Sequence, residues 1–239
     1  MDRTVHLAEC PASKLDCQVQ MCSNALVERG KATRKPPQAT ARGEATRARI
    51  VQAAAELVAA RGVAGTTLDD VMEASGTSKS QIYHYFADKD ALMCAVVKAQ
   101  SDRVLGIQAS CLSGIKSLED LRQWRNQIVK LNRAVRGVGG CPIGSLASAL
   151  ADQSEEAREL LAGSFRRWES QLAAGLEAMQ DRGALSPRAR PADLATAVVS
   201  ALQGGLLLAQ TTRSTRPLEL ALDMALDHVS VHSVRARSI

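Results

Sequence analysis

One short run of the chain holds side chains suited to gripping a polar, negatively charged partner. Ser78, Lys79, Ser80 and Gln81 open it, and Tyr83, His84 and Tyr85 follow. Hydroxyl, ammonium and amide groups gathered at a helix start lie where free backbone N–H groups and the helix dipole already favour phosphate. Ile82 and Phe86, four apart, give the same helix an inward face. Catalytic chemistry lacks its residues. The four histidines (His6, His84, His228 and His232) suggest no serine–histidine–acid set, and the chain has no glycine-rich phosphate loop and no H-E-x-x-H sequence. No catalytic residue and no cofactor are expected.

Metal and thiol chemistry leave narrower openings. Cys10, Cys17 and Cys22 beside His6 lack the C-x-x-C spacing of structural zinc sites, so no metal is expected there. His228 and His232, at i and i+4, share a helix face and could hold a metal with Asp227 or a ligand from a partner chain. The dipole at a helix C-terminus also favours histidine without any metal. A redox sensor would use Cys94, Cys111 or Cys141. Cys141, in a glycine-rich bend, is expected to be accessible, and Cys94, among apolar residues, inert. The plain alternative is that all three are small buried hydrophobes.

The elements that must position the first run are short helices. Thr67-Leu-Asp-Asp70 and Ser78-Lys-Ser-Gln81 are both capping-box patterns, and Gly76 breaks the chain between them. Two short capped helices, Thr67–Ser75 and Ser78–Tyr85, joined by a glycine turn match a helix-turn-helix. Such a unit lays its second helix in the DNA major groove. Before them, Ile50, Ala53, Ala54, Leu57 and Val58 recur at helical spacing, with Gly62 placed to end that helix. After them, Asp88 can cap a longer helix through Leu92 and Val96.

Composition agrees with an all-α protein. Of the 239 residues 46% are hydrophobic but only 3% aromatic, so the core is aliphatic, and collagen-like, mucin-like and wholly disordered classes are excluded. The net charge of +5 does not mark a nucleic-acid binder by itself, because residues 44–106 hold seven lysines and arginines against eight acids. Residues 1–43 read as a disordered basic extension. Arg29, Lys31, Arg34, Lys35, Arg42, Arg47 and Arg49 face only Glu44 across its end, a pattern that fits either a phosphate-seeking arm or a solvated tail. The start of the chain has no uninterrupted apolar stretch, and a cytoplasmic protein is expected.

The stretch from Arg47 to Lys98 resembles the N-terminal domain of the TetR family of bacterial transcriptional regulators. The resemblance rests on Thr66-Thr67, on Ala74-Ser-Gly-Thr-Ser-Lys-Ser-Gln-Ile-Tyr-His-Tyr-Phe86 and on Asp88-Lys-Asp-Ala-Leu92. The chain departs from the usual pattern with Thr77 for valine, Ser80 for glycine, Ile82 for leucine and Tyr85 for histidine. Gly140-Cys-Pro-Ile-Gly-Ser-Leu and the long helices to 232 are similar to one branch of the family's C-terminal domain. By position, the resemblance implies that Thr67, Tyr83, Tyr85 and Lys89 hold phosphates. It implies that Lys79, Ser80, Gln81 and His84, behind Ser78, face base edges, and that Arg47 or Arg49 touches the DNA backbone. Glutamine can pair with adenine and lysine with guanine, each worth roughly 1–3 kcal/mol of discrimination. Lys89 lies in the first turn of its helix, against the dipole, and a binding role would explain the placement.

The resemblance further implies a homodimeric repressor on a pseudo-palindromic double-stranded operator, released by a small-molecule inducer. The expected layout is a helix-turn-helix domain at 44–92 and a helical regulatory and dimerisation domain at 93–239. The stripe of Leu118, Leu121, Trp124, Ile128, Leu131 and Val135 is followed by a glycine-rich break from Gly137 to Gly144, then by Leu161, Phe165, Trp168, Leu172, Leu176 and Met179. Candidate pocket residues are Trp124, Ile128, Cys141, Phe165, Trp168 and Leu172, suited to an apolar or aromatic ligand. Residues 194–212 carry no charge, enough length to cross a bilayer. Thr196, Ser200 and Gln203 make one polar stripe on that cylinder, which fits a helix buried between subunits and not a membrane span. Helices at 154–182, 191–212 and 216–232 are expected to build the dimer contact, two of them forming a four-helix bundle across the two-fold. A helical protein-interaction module that does not bind DNA is the remaining alternative.

Overall fold

The computed structural model describes residues 40–234; Arg29, Lys31, Arg34 and Lys35 of the expected arm, His6 and the first three cysteines lie outside them. Within that span the chain forms nine helices and no strand, apart from one bridge between Leu185 and Ser233. They are α1 (Ala41–Arg61), α2 (Leu68–Ser75), α3 (Lys79–Tyr85), α4 (Lys89–Leu112), α5 (Leu118–Ala134), α6 (Pro142–Leu150), α7 (Glu155–Asp181), α8 (Pro191–Thr212) and α9 (Arg216–Val231). The first helix therefore begins inside the expected extension, because the Thr40 hydroxyl caps it by accepting from the Gly43 N–H.

Helix starts follow the side chains that satisfy free N–H groups. Thr67, Ser78, Asp88, Ser117 and Ser154 each accept from the backbone three residues on. Gly62 and Gly76 end α1 and α2 at positive φ, where a side chain is disfavoured. Helix α6 lies partly inside the span expected to be a break. Pro142 occupies its first turn, where a missing N–H costs nothing, and Ile143, Leu146 and Leu150 point inward.

Helices α1, α2 and α3 pack into a small head around Ile50, Val51, Ala54, Val71, Ile82 and Phe86. Helix α4 leaves that head and packs on α6 and α7, so it is the physical link between the two regions. Behind it, α7 meets α8, α8 meets α9 along much of its length, and α9 reaches back to α5. Arg125 and Arg133 of α5 pair with Asp223 (2.7 Å) and Glu219 (2.6 Å) of α9. Helix α8 is long and apolar enough to cross a membrane. Here its Leu194, Ala195, Val198, Val199 and Leu202 are buried against neighbouring helices, the packing of a core helix.

Candidate nucleic-acid interface

The two expected capping boxes are both formed, and they fix the geometry of the head. The Asp70 N–H donates to Thr67 Oγ1 (3.1 Å) while the Thr67 N–H donates to Asp70 Oδ2 (2.9 Å). The Thr67 hydroxyl, as first cause, holds the Asp70 carboxyl below its ordinary value. In α3 the Gln81 N–H donates to Ser78 Oγ (3.3 Å), and the Ser78 N–H donates to Gln81 Oε1 (2.9 Å). Oε1 of Gln81 is thus engaged in the cap, and adenine pairing would have to take it from the Ser78 N–H. The first turn of α3 carries no acid, unlike those of α1, α2, α4, α5 and α7. Nothing there repels phosphate.

Ser78, Lys79, Ser80, Gln81, Tyr83 and His84 are all exposed, while Ile82 and Phe86 are buried. The structure therefore brings six of the expected DNA contacts onto one exposed helix. Tyr83 is 49% exposed, the one large hydrophobic side chain of the head left so open. Arg47 stands beside this surface with its guanidinium 5.1 Å from the Phe86 ring centre.

Three assigned residues have structural work that the sequence did not reveal. The Arg49 Nε–H donates to the Ser75 carbonyl (2.9 Å), tying α1 to the end of α2. The Lys89 ammonium donates to the Val63 carbonyl (2.9 Å), which accounts for its place in the first turn of α4 without DNA. Tyr85 is half-buried, and its hydroxyl lies so close to Gly43 that a Cβ there would stand 3.3 Å away. Arg49 and Tyr85 clamp α2 and α3 on α1, and Lys89 ties the start of α4 to the loop after α1, which together set the angle at which the exposed face is presented. No local pattern marks these partners, since each lies 26 or more residues away.

The candidate pocket residues are packed into the interior. Trp124, Cys141, Trp168 and Leu172 are buried, and Ile128 and Phe165 pack half-buried against the same core. A groove of about 710 Å³ runs elsewhere, past Lys98, Ser101, Glu156, Arg158, Ser164 and Arg166. The expectation that Cys141 is accessible is corrected. Gly137 and Gly140, both at positive φ, press the bend onto Ala209 and Gln210 of α8, and Cys141 turns inward. Burial, the first cause, raises the Cys94 thiol, as expected of an inert residue. Cys111 is the most accessible of the three described thiols and donates to Gln127 Oε1 (3.7 Å).

Comparison with known proteins matches both regions. The profile described as bacterial regulatory proteins, tetR family, covers residues 50–96, and that of the LmrA/YxaF-like transcriptional regulator C-terminal domain covers 117–224. An HTH-type transcriptional regulator in the lacX 3′ region of Lactococcus lactis subsp. lactis is 29% identical over 184 residues, 75% of this chain and 90% of its own. The HTH-type transcriptional repressor DhaR of a Mycobacterium species is 23% identical over 181 residues, 76% of this chain and 90% of its own. The crystal structure of a TetR transcriptional regulator from Chloroflexus aurantiacus superposes with a TM-score of 0.65 at 27% identity, covering 80% of this chain and 98% of that one.

Proposed function

The chain belongs to the TetR family of bacterial transcriptional regulators, and from that premise we propose that it is a homodimeric repressor that reads a pseudo-palindromic operator with α3. The observation that carries the reading is the exposed face of α3, polar from Ser78 to His84 apart from the ring of Tyr83 and backed by a buried Ile82. Lys79, Ser80, Gln81 and His84 face base edges, while Thr67, Tyr83, Tyr85, Lys89 and Arg47 set the register on phosphates. One head of this size grips weakly. A second copy adds a second half-site about one helical turn, roughly 34–36 Å, away or a multiple of it. The repressor sense follows the name of the Mycobacterium relative. The protein acts in the cytoplasm, where its DNA lies.

Release by a small molecule is the second part of the proposal. The interior around α5, α6 and α7 supports it through one contrast. Trp124 donates its indole N–H to Gln108 Oε1 (2.9 Å), but the buried Trp168 has no acceptor for its own. An apolar or aromatic ligand with an acceptor atom would satisfy it, on entering an interior that has to open for it. Because α4 joins α6 and α7 to the head, such an opening reaches α3. A coupling of about 1–3 kcal/mol gives a 5–150-fold loss of operator affinity.

A gel shift with the DNA flanking the gene tests the main reading. Lys79→Ala with Tyr83→Ala should weaken binding by about 100-fold, two contacts at roughly 1–3 kcal/mol each, with the helical circular dichroism unchanged. Intact binding in that variant would refute the assignment of α3, and no binding by the wild type would favour a helical protein-interaction module.

A further inference from the structure

We propose that His228 and His232 form a two-imidazole chelate for a divalent transition-metal ion of the nickel, copper and zinc group. The pair belongs to neither the DNA face nor the interior. His228 is exposed on the last turn of α9, and His232 stands half-buried at its C-terminal cap. Their ring centres are 5.4 Å apart, with the planes at 87°. Two imidazoles on one tetrahedral ion, with metal–nitrogen bonds of about 2.0–2.1 Å, place their ring centres about 5 Å apart. The observed pair is therefore close to chelating distance before any ion binds.

Both ends of the pair are anchored. His228 sits on regular helix, and the backbone of His232 is fixed on two sides. Its N–H donates to the Val229 carbonyl (3.1 Å), and its carbonyl accepts from the Ser186 N–H (2.8 Å). The Val234 N–H donates to the Ala184 carbonyl (3.0 Å), completing the bridge that holds the end of α9 to the segment after α7. Such anchoring lowers the ordering cost of closing the chelate. Among the described residues no third histidine, cysteine or carboxylate completes a cluster, so water fills the remaining positions. Two neutral imidazoles with open positions suit nickel, copper and zinc, and not calcium or magnesium, which require oxygen ligands.

The test is calorimetric titration of the full chain, with its thiols kept reduced, using Ni²⁺ alone. The expected result is one micromolar site per chain that weakens at least tenfold in both His228→Gln and His232→Gln. His6→Gln should leave it unchanged. Circular dichroism and the metal-free melting temperature of each variant check that the fold is intact; because the anchoring bonds of His232 are made by its backbone, neither should move. A wild-type chain without a site, or a site that survives in both variants, would overturn the proposal. Operator DNA takes no part in the measurement, so failure here leaves the reading of α3 standing.

Discussion

The head and the rear of the molecule solve the problem of holding helices in opposite ways. In the head, α2 and α3 have only eight and seven residues, too few to be stable alone, and each is closed by a reciprocal capping box. In the rear, α8 and α9 run for 22 and 16 residues, begin with proline in the first turn, and have no side-chain cap bond at all. They stand by apolar packing. The outer faces differ in the same sense. The head exposes one large hydrophobic side chain, Tyr83, whereas Leu207, Leu208, Leu220, Met224 and Val231 are all open on α8 and α9. A polar face held by polar bonds suits a hydrated polyanion, and an apolar face of this extent calls for a cover.

The strongest way to break this comparison is to charge the rear. If the proposed dimer forms through this face, Leu208→Lys with Met224→Lys should leave only monomer in sedimentation at micromolar concentration. Operator affinity should fall with it by about 100-fold or more, although α3 is untouched, because lysines facing their counterparts across a two-fold repel. A variant that stays dimeric would show that this face is bare surface. A smaller effect separates the two modes of helix support. Thr67→Ala and Ser78→Ala should each cost about 1 kcal/mol and lower the melting temperature by about 2–4 °C. Arg190→Ala, at the uncapped start of α8, should change it by less than about 0.5 kcal/mol.

Acid gives a further small effect. The Arg133 guanidinium first, and then the Thr215 hydroxyl, hold Glu219 below its ordinary value; the Ser117 hydroxyl does the same for Asp120. A lowered carboxylate contributes stability above its unfolded value that is lost as the pH falls through its folded one. Glu219→Gln should therefore cost less than about 1 kcal/mol at neutral pH, since Arg133 is largely exposed. The difference from wild type should begin to shrink below about pH 4 and vanish only once the pH has fallen through the lowered folded value, on denaturant titration.

The sequence was most legible where local chemistry decides the outcome. Caps at Thr67 and Ser78, glycine stops at 62 and 76, and the helical stripe of α7 all depend on residues within a turn or two of one another; the α5 stripe holds only through Ile128, since Leu131 and Val135 stand exposed. What stayed hidden depends on distant partners. Nothing near Lys89 announces the Val63 carbonyl, and nothing near Arg49 announces Ser75. The bend before α6 looked open because its glycines suggest mobility; Gly137 admits the backbone of α8 at Ala209 and Gly140 the side chain of Gln210, and that approach buries Cys141. The capping role of Gln81 was legible, but its conflict with base reading emerged only from the geometry of Oε1.

The central claim is that α3 reads DNA through a pair of copies. Nuclease footprinting of the purified full chain on the DNA flanking its own gene, at low salt, tests it most directly. The expected result is two protected half-sites, related by approximate two-fold symmetry and centred about 34–36 Å or a multiple apart, that disappear together in the Lys79→Ala, Tyr83→Ala variant. Protection that persists in that variant, or none anywhere in the flanking DNA, would contradict it.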